Sequence, residues 1–509
     1  MAEPTTESVD PTKPLPTGAV LGEPVRPGEY GDRIAAVEPG GVEFIPAGDR
    51  HGQPLQLLWT WTSPNLEFAT VFLGILAVGV FGLGFWEAVL ALLIGNVLGS
   101  LSHAVLSARG PKHGAPQMVL SRVPFGFWGN VLPAGLNSVT AGFGWFAVNS
   151  VSGAFALSAL TSMPVLAALV IVVLAQVLVA FFGHNLVHAF EKYALVFLGV
   201  VFLMASVVLL VKAHPAAATQ PVPGGFLLTV GAAFGYAAGW NPYATDYTRY
   251  LPASASPRRT GLWAGLGVFI SCMLLEIVGA ASVTAGGTSA DNPAGAFTGQ
   301  LPGWLGALTL LAIVLGAVSA NVINIYSGAM SFLTLGVNLP LTFRRALVAV
   351  VFGVIGFLLA WSGLQDAGSK YESFLLVIAY WIGPWLGVMF TDQYLRRGQP
   401  IDELLYARWY RNWAGPVAML IGIAVSVPLF SNQHLFTGLI ARQLPGLGDI
   451  AFLVGFLLAG ALYAVLRPLA ARTQRTHDDP NGQRGADPRS SGARHVDGLG
   501  GLQEPPPHP

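Results

Sequence analysis

Apolar residues run for about twenty positions at a time along most of this chain, separated by short turns carrying Gly, Pro and basic side chains. A helix needs roughly 20 such residues to cross about 30 Å of hydrocarbon. Twelve stretches qualify, at 56–82, 86–106, 127–158, 163–184, 190–212, 223–245, 261–286, 302–335, 343–362, 371–395, 412–431 and 449–470. The pattern predicts an all-α polytopic membrane protein whose transmembrane domain covers residues 51–471. Residues 1–50 and 472–509 are rich in Pro, Gly and charge, and too poor in large apolar side chains to bury a core. They read as disordered tails, and the first lacks the basic start and apolar run of a cleaved leader.

Two of the apolar stretches are broken by a proline beside polar residues. One break is Trp61-Thr62-Ser63-Pro64-Asn65 in span one, and the other is Gly239-Trp240-Asn241-Pro242-Tyr243 in span six. Proline removes a backbone donor and opens the helix, freeing polar main-chain atoms that lipid cannot satisfy. Such backbone is tolerated at membrane depth where it lines a cavity, and paired interruptions in two halves of a chain point to a transporter's binding site.

Pro64 and Pro242 lie 178 residues apart, and the same offset carries spans two to five onto spans seven to ten. Because five is odd, the second copy crosses the membrane in the opposite sense to the first. The organisation expected is an inverted repeat of five plus five helices, with repeat one at 56–212, repeat two at 223–395 and two extra helices in 412–470.

Composition sharpens this picture. Hydrophobic residues make up 53% of the chain and charged residues only 10%, far below the roughly 25% charged of soluble domains. Thirteen Lys/Arg follow even-numbered spans and three follow odd-numbered ones, which predicts a multi-pass plasma-membrane protein with both termini in the cytoplasm. No basic, aromatic-studded surface suggests nucleic acid. The single Cys272 excludes an intrachain disulfide and a cysteine-based metal site, and neither a metal nor a cofactor is expected. No GxSxG, HExxH or paired-acid motif suggests an enzyme, and no charged rings or short re-entrant filter suggest a channel. A membrane receptor that binds without transporting stays open as the rival class.

Several motifs occur in order along the chain. They are Glu43-Phe44-Ile45-Pro46 with Asp49-Arg50-His51-Gly52; Gly110-Pro111-Lys112 with Gln117-Met118-Val119-Leu120-Ser121-Arg122-Val123-Pro124-Phe125-Gly126; and the run from Gly239 to Pro252. Asn324-Ile325-Tyr326-Ser327-Gly328 and Ala379-Tyr380-Trp381-Ile382-Gly383-Pro384-Trp385 complete the set. From about residue 38 to 470 the chain resembles the bacterial purine-cytosine permeases of the nucleobase:cation symporter-1 family. The resemblance implies a LeuT-like fold and uptake of a nucleobase (cytosine or a purine) or a related heterocycle such as uracil, hydantoin, allantoin or thiamine, coupled to a cation.

A planar, uncharged base offers two π-faces and an edge of donors and acceptors. A carrier for it needs aromatic rings for stacking, worth about 1–3 kcal/mol per base, and amides for the edge, where an unpaired buried group costs about 1–3 kcal/mol. The resemblance puts the family's two stacking tryptophans at Trp145 on span three and Trp240 on span six. It puts the polar contacts at Asn149, where some members carry Gln, and at Asn324 on span eight. Asn321, one turn earlier, and Asn65 at the first break join this substrate-binding set.

Carboxylic acids in hydrocarbon are costly enough to be functional candidates. Glu67, just past the first break, and Glu276 in span seven are the candidates for taking up and releasing the coupling proton. Sodium-coupled relatives hold the ion with carbonyls of the first break and two adjacent hydroxyl residues on helix eight, positions that here are Val318 and Ser319. Losing one oxygen ligand weakens a hard-cation site and favours H+ over Na+. Asp246 and Arg249, at the cytoplasmic end of span six, read as a helix-end polar pair or inner gate. The expected motion rocks spans one, two, six and seven against three, four, eight and nine.

Overall fold

The computed structural model describes residues 41–182, 184–289, 291–336 and 341–478. The predicted tails therefore lie outside the described residues over 1–40 and 479–509. Each of the twelve predicted spans contains a helix. Among the described residues seven helices are long and apolar enough to cross a membrane by themselves, and the bent pair Gln56–Asn65 with Phe68–Gly79 supplies an eighth. Of the other four spans, six is split at its proline, while four, nine and eleven hold the helices Val165–Phe182, Leu341–Gly363 and Ala414–Phe430.

Span one bends by 62° at its break. The helix Gln56–Thr62 passes into a single 3₁₀ turn, Ser63–Asn65, and resumes as Phe68–Gly79 after an extended Glu67. Side chains satisfy carbonyls at the break. Asn65 Nδ2 donates to the Trp61 carbonyl at 2.7 Å, and Thr70 Oγ1 donates to the Asn65 carbonyl at 2.6 Å. Span six repeats the device with Gly225–Ala238, the turn Asn241–Tyr243 and Ala244–Thr248. There Asn241 Nδ2 donates to Ser102 Oγ of span two at 2.6 Å, and Ser107 Oγ donates to the Ala244 carbonyl at 3.1 Å.

Glycines let the backbones cross closely in two places. A Cβ at Gly74 of span one would lie 1.8 Å from the Glu276 carbonyl oxygen of span seven, and one at Gly279 would lie 1.9 Å from the Val71 carbonyl oxygen. Span two meets span six in the same way, with a Cβ at Gly95 or Gly99 placed 2.6 Å from the Cβ of Ala233 or Ala237. One-against-seven and six-against-two are the same contact under the five-plus-five repeat. Small residues at such seams supply packing where lipid offers no hydrophobic drive to helix association.

Two apolar clusters form the interior. The first draws on spans one, two, six, seven, ten, eleven and twelve, with Ala134, Ala141 and Trp145 of span three and Val318 and Ile323 of span eight. The second draws on spans three, four, five and eight, together with one side of spans one and seven. Phe72 and Val283 pack against both, so span one runs along the boundary between them. Span three changes pitch at that boundary: Val131–Val139 and Phe146–Thr161 are joined by a π-helical turn, Thr140–Trp145, a distortion frequent at functional sites.

Residues 41–50, grouped with the tail on compositional grounds, pack on the helices together with His51. Ile45 N–H donates to the Gly114 carbonyl at 3.0 Å, His51 N–H to the Tyr250 carbonyl at 2.7 Å, and Arg50 Nη1 to the Pro111 carbonyl at 2.7 Å.

Candidate functional site

The two helix breaks meet. Trp240 Nε1 donates to Asn65 Oδ1 at 2.9 Å, so the indole of the second break is oriented by the amide of the first. Asn65 is fully buried, with its oxygen on Trp240 and its nitrogen on the Trp61 carbonyl. The structure thus gives this amide to the indole. Trp240 also packs edge-on against Trp61 and Tyr243, with ring centroids 5.8 and 5.7 Å away.

Trp145 closes the π-helical turn of span three and is 5% exposed. Its ring lies against the residue preceding Trp240, since a Cβ at Gly239 would sit 3.3 Å from Trp145 Cζ2. Tyr236 and Phe374 approach it edge-on at 5.3 and 5.2 Å. A cavity of about 230 Å³ opens beyond, lined by Phe68, Phe72, Gly144, Ser152, Tyr371 and Phe374 among others. Gly144 and Phe374 separate Trp145 from it.

Asn149, Asn321 and Glu67 form one buried group, each no more than 1% exposed. Asn321 Nδ2 donates to the Phe146 carbonyl at 2.9 Å and reaches Ser150 Oγ at 3.4 Å. Its oxygen accepts from Asn149 Nδ2 at 2.9 Å. The other end of the Asn149 amide faces the Glu67 carboxyl, 3.1 Å from Oε1 and 2.9 Å from Oε2. Glu67 Oε1 also accepts from Tyr236 Oη at 3.2 Å, and Tyr236 Oη is hydrogen-bonded to Thr70 Oγ1. Behind Asn149, Ser150 Oγ meets Gln176 Oε1 of span four at 2.8 Å, and Gln176 Nε2 donates to the Ala317 carbonyl at 3.2 Å. Hydrogen bonds therefore run from span four through three and eight to one and six.

The remaining predicted residues divide by location. Asn324 is buried on span eight, and its Oδ1 has no hydrogen-bond partner among the described residues. Ser319 is fully buried beside Val318. Three residues earlier, span eight backs onto the first break so closely that a Cβ at Gly316 would lie 2.6 Å from the Leu66 carbonyl oxygen. Glu276 is separate from the Glu67 group: it accepts from Asn96 Nδ2 of span two, and its Oε1 is unpartnered among the described residues.

Asp246 and Arg249 sit at the far end of span six. Asp246 Oδ1 accepts from Gln117 N–H at 3.0 Å. Arg249, 1% exposed, donates to the Gly41 carbonyl at 3.0 Å, the Glu43 carbonyl at 3.2 Å and Tyr250 Oη at 3.1 Å, and it reaches Tyr326 Oη of span eight at 3.4 Å. Its guanidinium ties the residue 41–43 segment to spans six and eight.

Sequence reasoning missed Tyr236, Thr70, Ser150, Gln176 and Phe374. Tyr236 lies one helical turn before Trp240, and Ser150 directly follows Asn149, so both were within reach of a register argument. Phe374 comes from span ten and has no local signal.

A family model described as permease for cytosine/purines, uracil, thiamine, allantoin matches residues 44–455. The chain is 28% identical over 445 residues to the putative purine-cytosine permease YxlA of Bacillus subtilis, covering 84% of this chain and 96% of that protein. It is 30% identical over 489 residues to the purine-cytosine permease fcyB of Emericella nidulans, covering 89% and 94%. Among solved structures it is similar to Mhp1, a nucleobase-cation-symport-1 family transporter in a closed conformation with bromovinylhydantoin bound. That likeness has a TM-score of 0.67 at 19% identity over 87% of this chain and 99% of Mhp1, which identifies the LeuT-like fold. Joined helix breaks, a multi-pass apolar helical body and a family match over most of its length lead to one conclusion: the chain belongs to the family of permeases for cytosine/purines, uracil, thiamine and allantoin.

Proposed function

We propose that this protein imports a nucleobase, cytosine or a purine, across the plasma membrane together with a proton by alternating access, with both termini in the cytoplasm. The observation that carries this reading is the 2.9 Å bond from Trp240 to Asn65, which joins the two breaks, with Trp145 packed on the adjoining Gly239. Substrate enters through the cavity bounded by Phe72 and Phe374, displaces the aromatic edges around Trp145, and stacks between Trp145 and Trp240. Asn149 and Asn324 meet its polar edge. An aromatic site accepts any flat ring, and the amides discriminate because a mismatched donor or acceptor stays unpaired.

Glu67 is the proton carrier in this scheme, and Glu276, bonded to span two, has a separate position in the bundle. Val318 beside Ser319 supports the proton over sodium, because only one of the two positions offers a hydroxyl oxygen. Release toward the cytoplasm requires Arg249 to leave Tyr326 Oη as spans one, two, six and seven rock away from span eight.

The test is uptake of radiolabelled cytosine and hypoxanthine into proteoliposomes under an imposed pH gradient or an imposed sodium gradient. Accumulation driven by the pH gradient alone is expected. Strict sodium dependence removes the proton, and bound label without accumulation or counterflow supports the receptor.

A further inference from the structure

We propose that Asn321 is a positioning residue that makes the Asn149 amide a two-position switch, with the proton on Glu67 deciding whether Asn149 offers a hydrogen-bond donor to the substrate. The inference rests on Glu67 being the proton carrier, and it says how that proton is felt at the substrate.

The argument is a count of donors and acceptors. Both Asn321 Nδ2 contacts, the Phe146 carbonyl and Ser150 Oγ, fix which end of that amide is nitrogen. Asn321 Oδ1 must then face Asn149, and at 2.9 Å it requires the Asn149 nitrogen. That turns Asn149 Oδ1 toward Glu67, 3.1 and 2.9 Å from its two carboxyl oxygens. Three oxygens at such distances need a hydrogen among them. Oε2 makes the closer approach, at 2.9 Å, and is the oxygen that carries the proton and donates it to Asn149 Oδ1. In this state one N–H of Asn149 is held by Asn321 and the other remains for an acceptor atom on the substrate ring.

Loss of the proton reverses the preference. A carboxylate accepts only, so the Asn149 nitrogen turns toward Oε1 and Oε2 and its oxygen then meets Asn321 Oδ1. Asn321 cannot follow without giving up the Phe146 carbonyl. The ionised state therefore loses the clamp and withdraws the donor from the substrate. Among the described residues no cation faces that charge: the titratable groups around Glu67 are Tyr236 from span six, Tyr371 from span ten and Cys272 from span seven, with Glu276 beyond Cys272, and only the uncharged donors Tyr236 Oη and the Ala69 N–H support it. Substrate binds more tightly to the protonated form, and by reciprocity bound substrate holds the proton more tightly, which is the linkage a symporter needs.

The experiment measures equilibrium binding of radiolabelled cytosine to the purified full-length protein in nanodiscs from pH 5.5 to 8.5, together with proton uptake on binding in weak buffer. Wild type is expected to lose about tenfold in affinity across that range and to draw in protons on binding. Glu67→Gln supplies a permanent amide donor to Asn149, so its affinity should stay at the low-pH value throughout with no proton uptake. Asn321→Ala frees the Asn149 amide, so its affinity should vary less than about threefold with pH while Glu67 is intact. Asn321→Ala with the full wild-type pH dependence overturns the switch and leaves Glu67 as carrier. Glu67→Gln with the full wild-type pH dependence overturns the carrier assignment itself. Should Asn321→Ala fail to fold, Ser150→Ala loosens the same clamp and is expected to reduce the pH dependence; an unchanged profile there counts against the switch.

Discussion

Trp240 and Asn65, 175 positions apart in the chain, share a 2.9 Å hydrogen bond that joins the two interrupted helices. The bond fixes the plane of the Trp240 indole. Removing the acceptor leaves a buried indole N–H unpaired, at a cost of about 1–3 kcal/mol. Asn65→Leu is therefore expected to raise the KM for uptake roughly 5- to 100-fold while the protein still reaches the membrane. Concentration-dependent uptake, scaled to surface expression, checks it. An unchanged KM means the indole needs no such support.

Trp145 should bind substrate through its face. Trp145→Ala is expected to weaken cytosine binding by about 1–3 kcal/mol, and Trp145→Phe to restore part of the loss because a smaller π-face remains. Isothermal titration on the two variants distinguishes stacking from simple space filling, for which Trp145→Leu would serve as well as Trp145→Phe.

Val318 is the place to look for ion choice. Val318→Thr keeps the shape of the side chain and adds a hydroxyl beside Ser319. Sodium should then stimulate uptake at fixed pH, where the parent protein is expected to take up substrate equally in sodium and choline. Absence of stimulation would mean that two hydroxyls and the break carbonyls do not suffice to hold the ion here.

His113, in the connection between spans two and three, contacts Asp402 Oδ1 through Nδ1 at 2.7 Å. Burial, the largest influence, holds its imidazole below the ordinary value of 6.5, although the bond to Asp402 pulls the other way. A base depressed on folding takes up its proton in the unfolded chain first as pH falls. The stability it contributes is thus complete above about pH 6.5 and is lost on acidification below it. The Tm of the wild type should drop between pH 7 and pH 5 by more than that of His113→Gln, measured by thermal unfolding in one detergent.

Gly74 and Gly279 admit no side chain. A Cβ at either would fall within 2 Å of a carbonyl oxygen on the facing helix. Gly74→Val should cost more than the about 1–3 kcal/mol of ordinary overpacking, because backbone is the obstacle. The variant is expected to lose its monodisperse size-exclusion peak, whereas Gly303→Ala, with open space around it, should behave as wild type.

The architecture was legible in the chain because lipid imposes long apolar runs and leaves proline nowhere to go except a cavity wall. Trp145, Trp240, Asn149 and Asn321 could be placed through motif frames and one-turn spacings. The role of Asn65 could not, since its partner lies on another helix and only the packed bundle brings Trp240 to it. The same holds for Glu67: the sequence marks a carboxyl near a break, but its contacts with Asn149 and Tyr236 come from two further helices.

The glycine crossings constrain how such a machine changes shape. With bare backbone of span one seated on span seven, and span two on span six, neither couple has slack for its members to shear past one another. Each couple travels as a welded rod, so rotation has to be absorbed at the kinks, where a labelled pair of probes would report the swing.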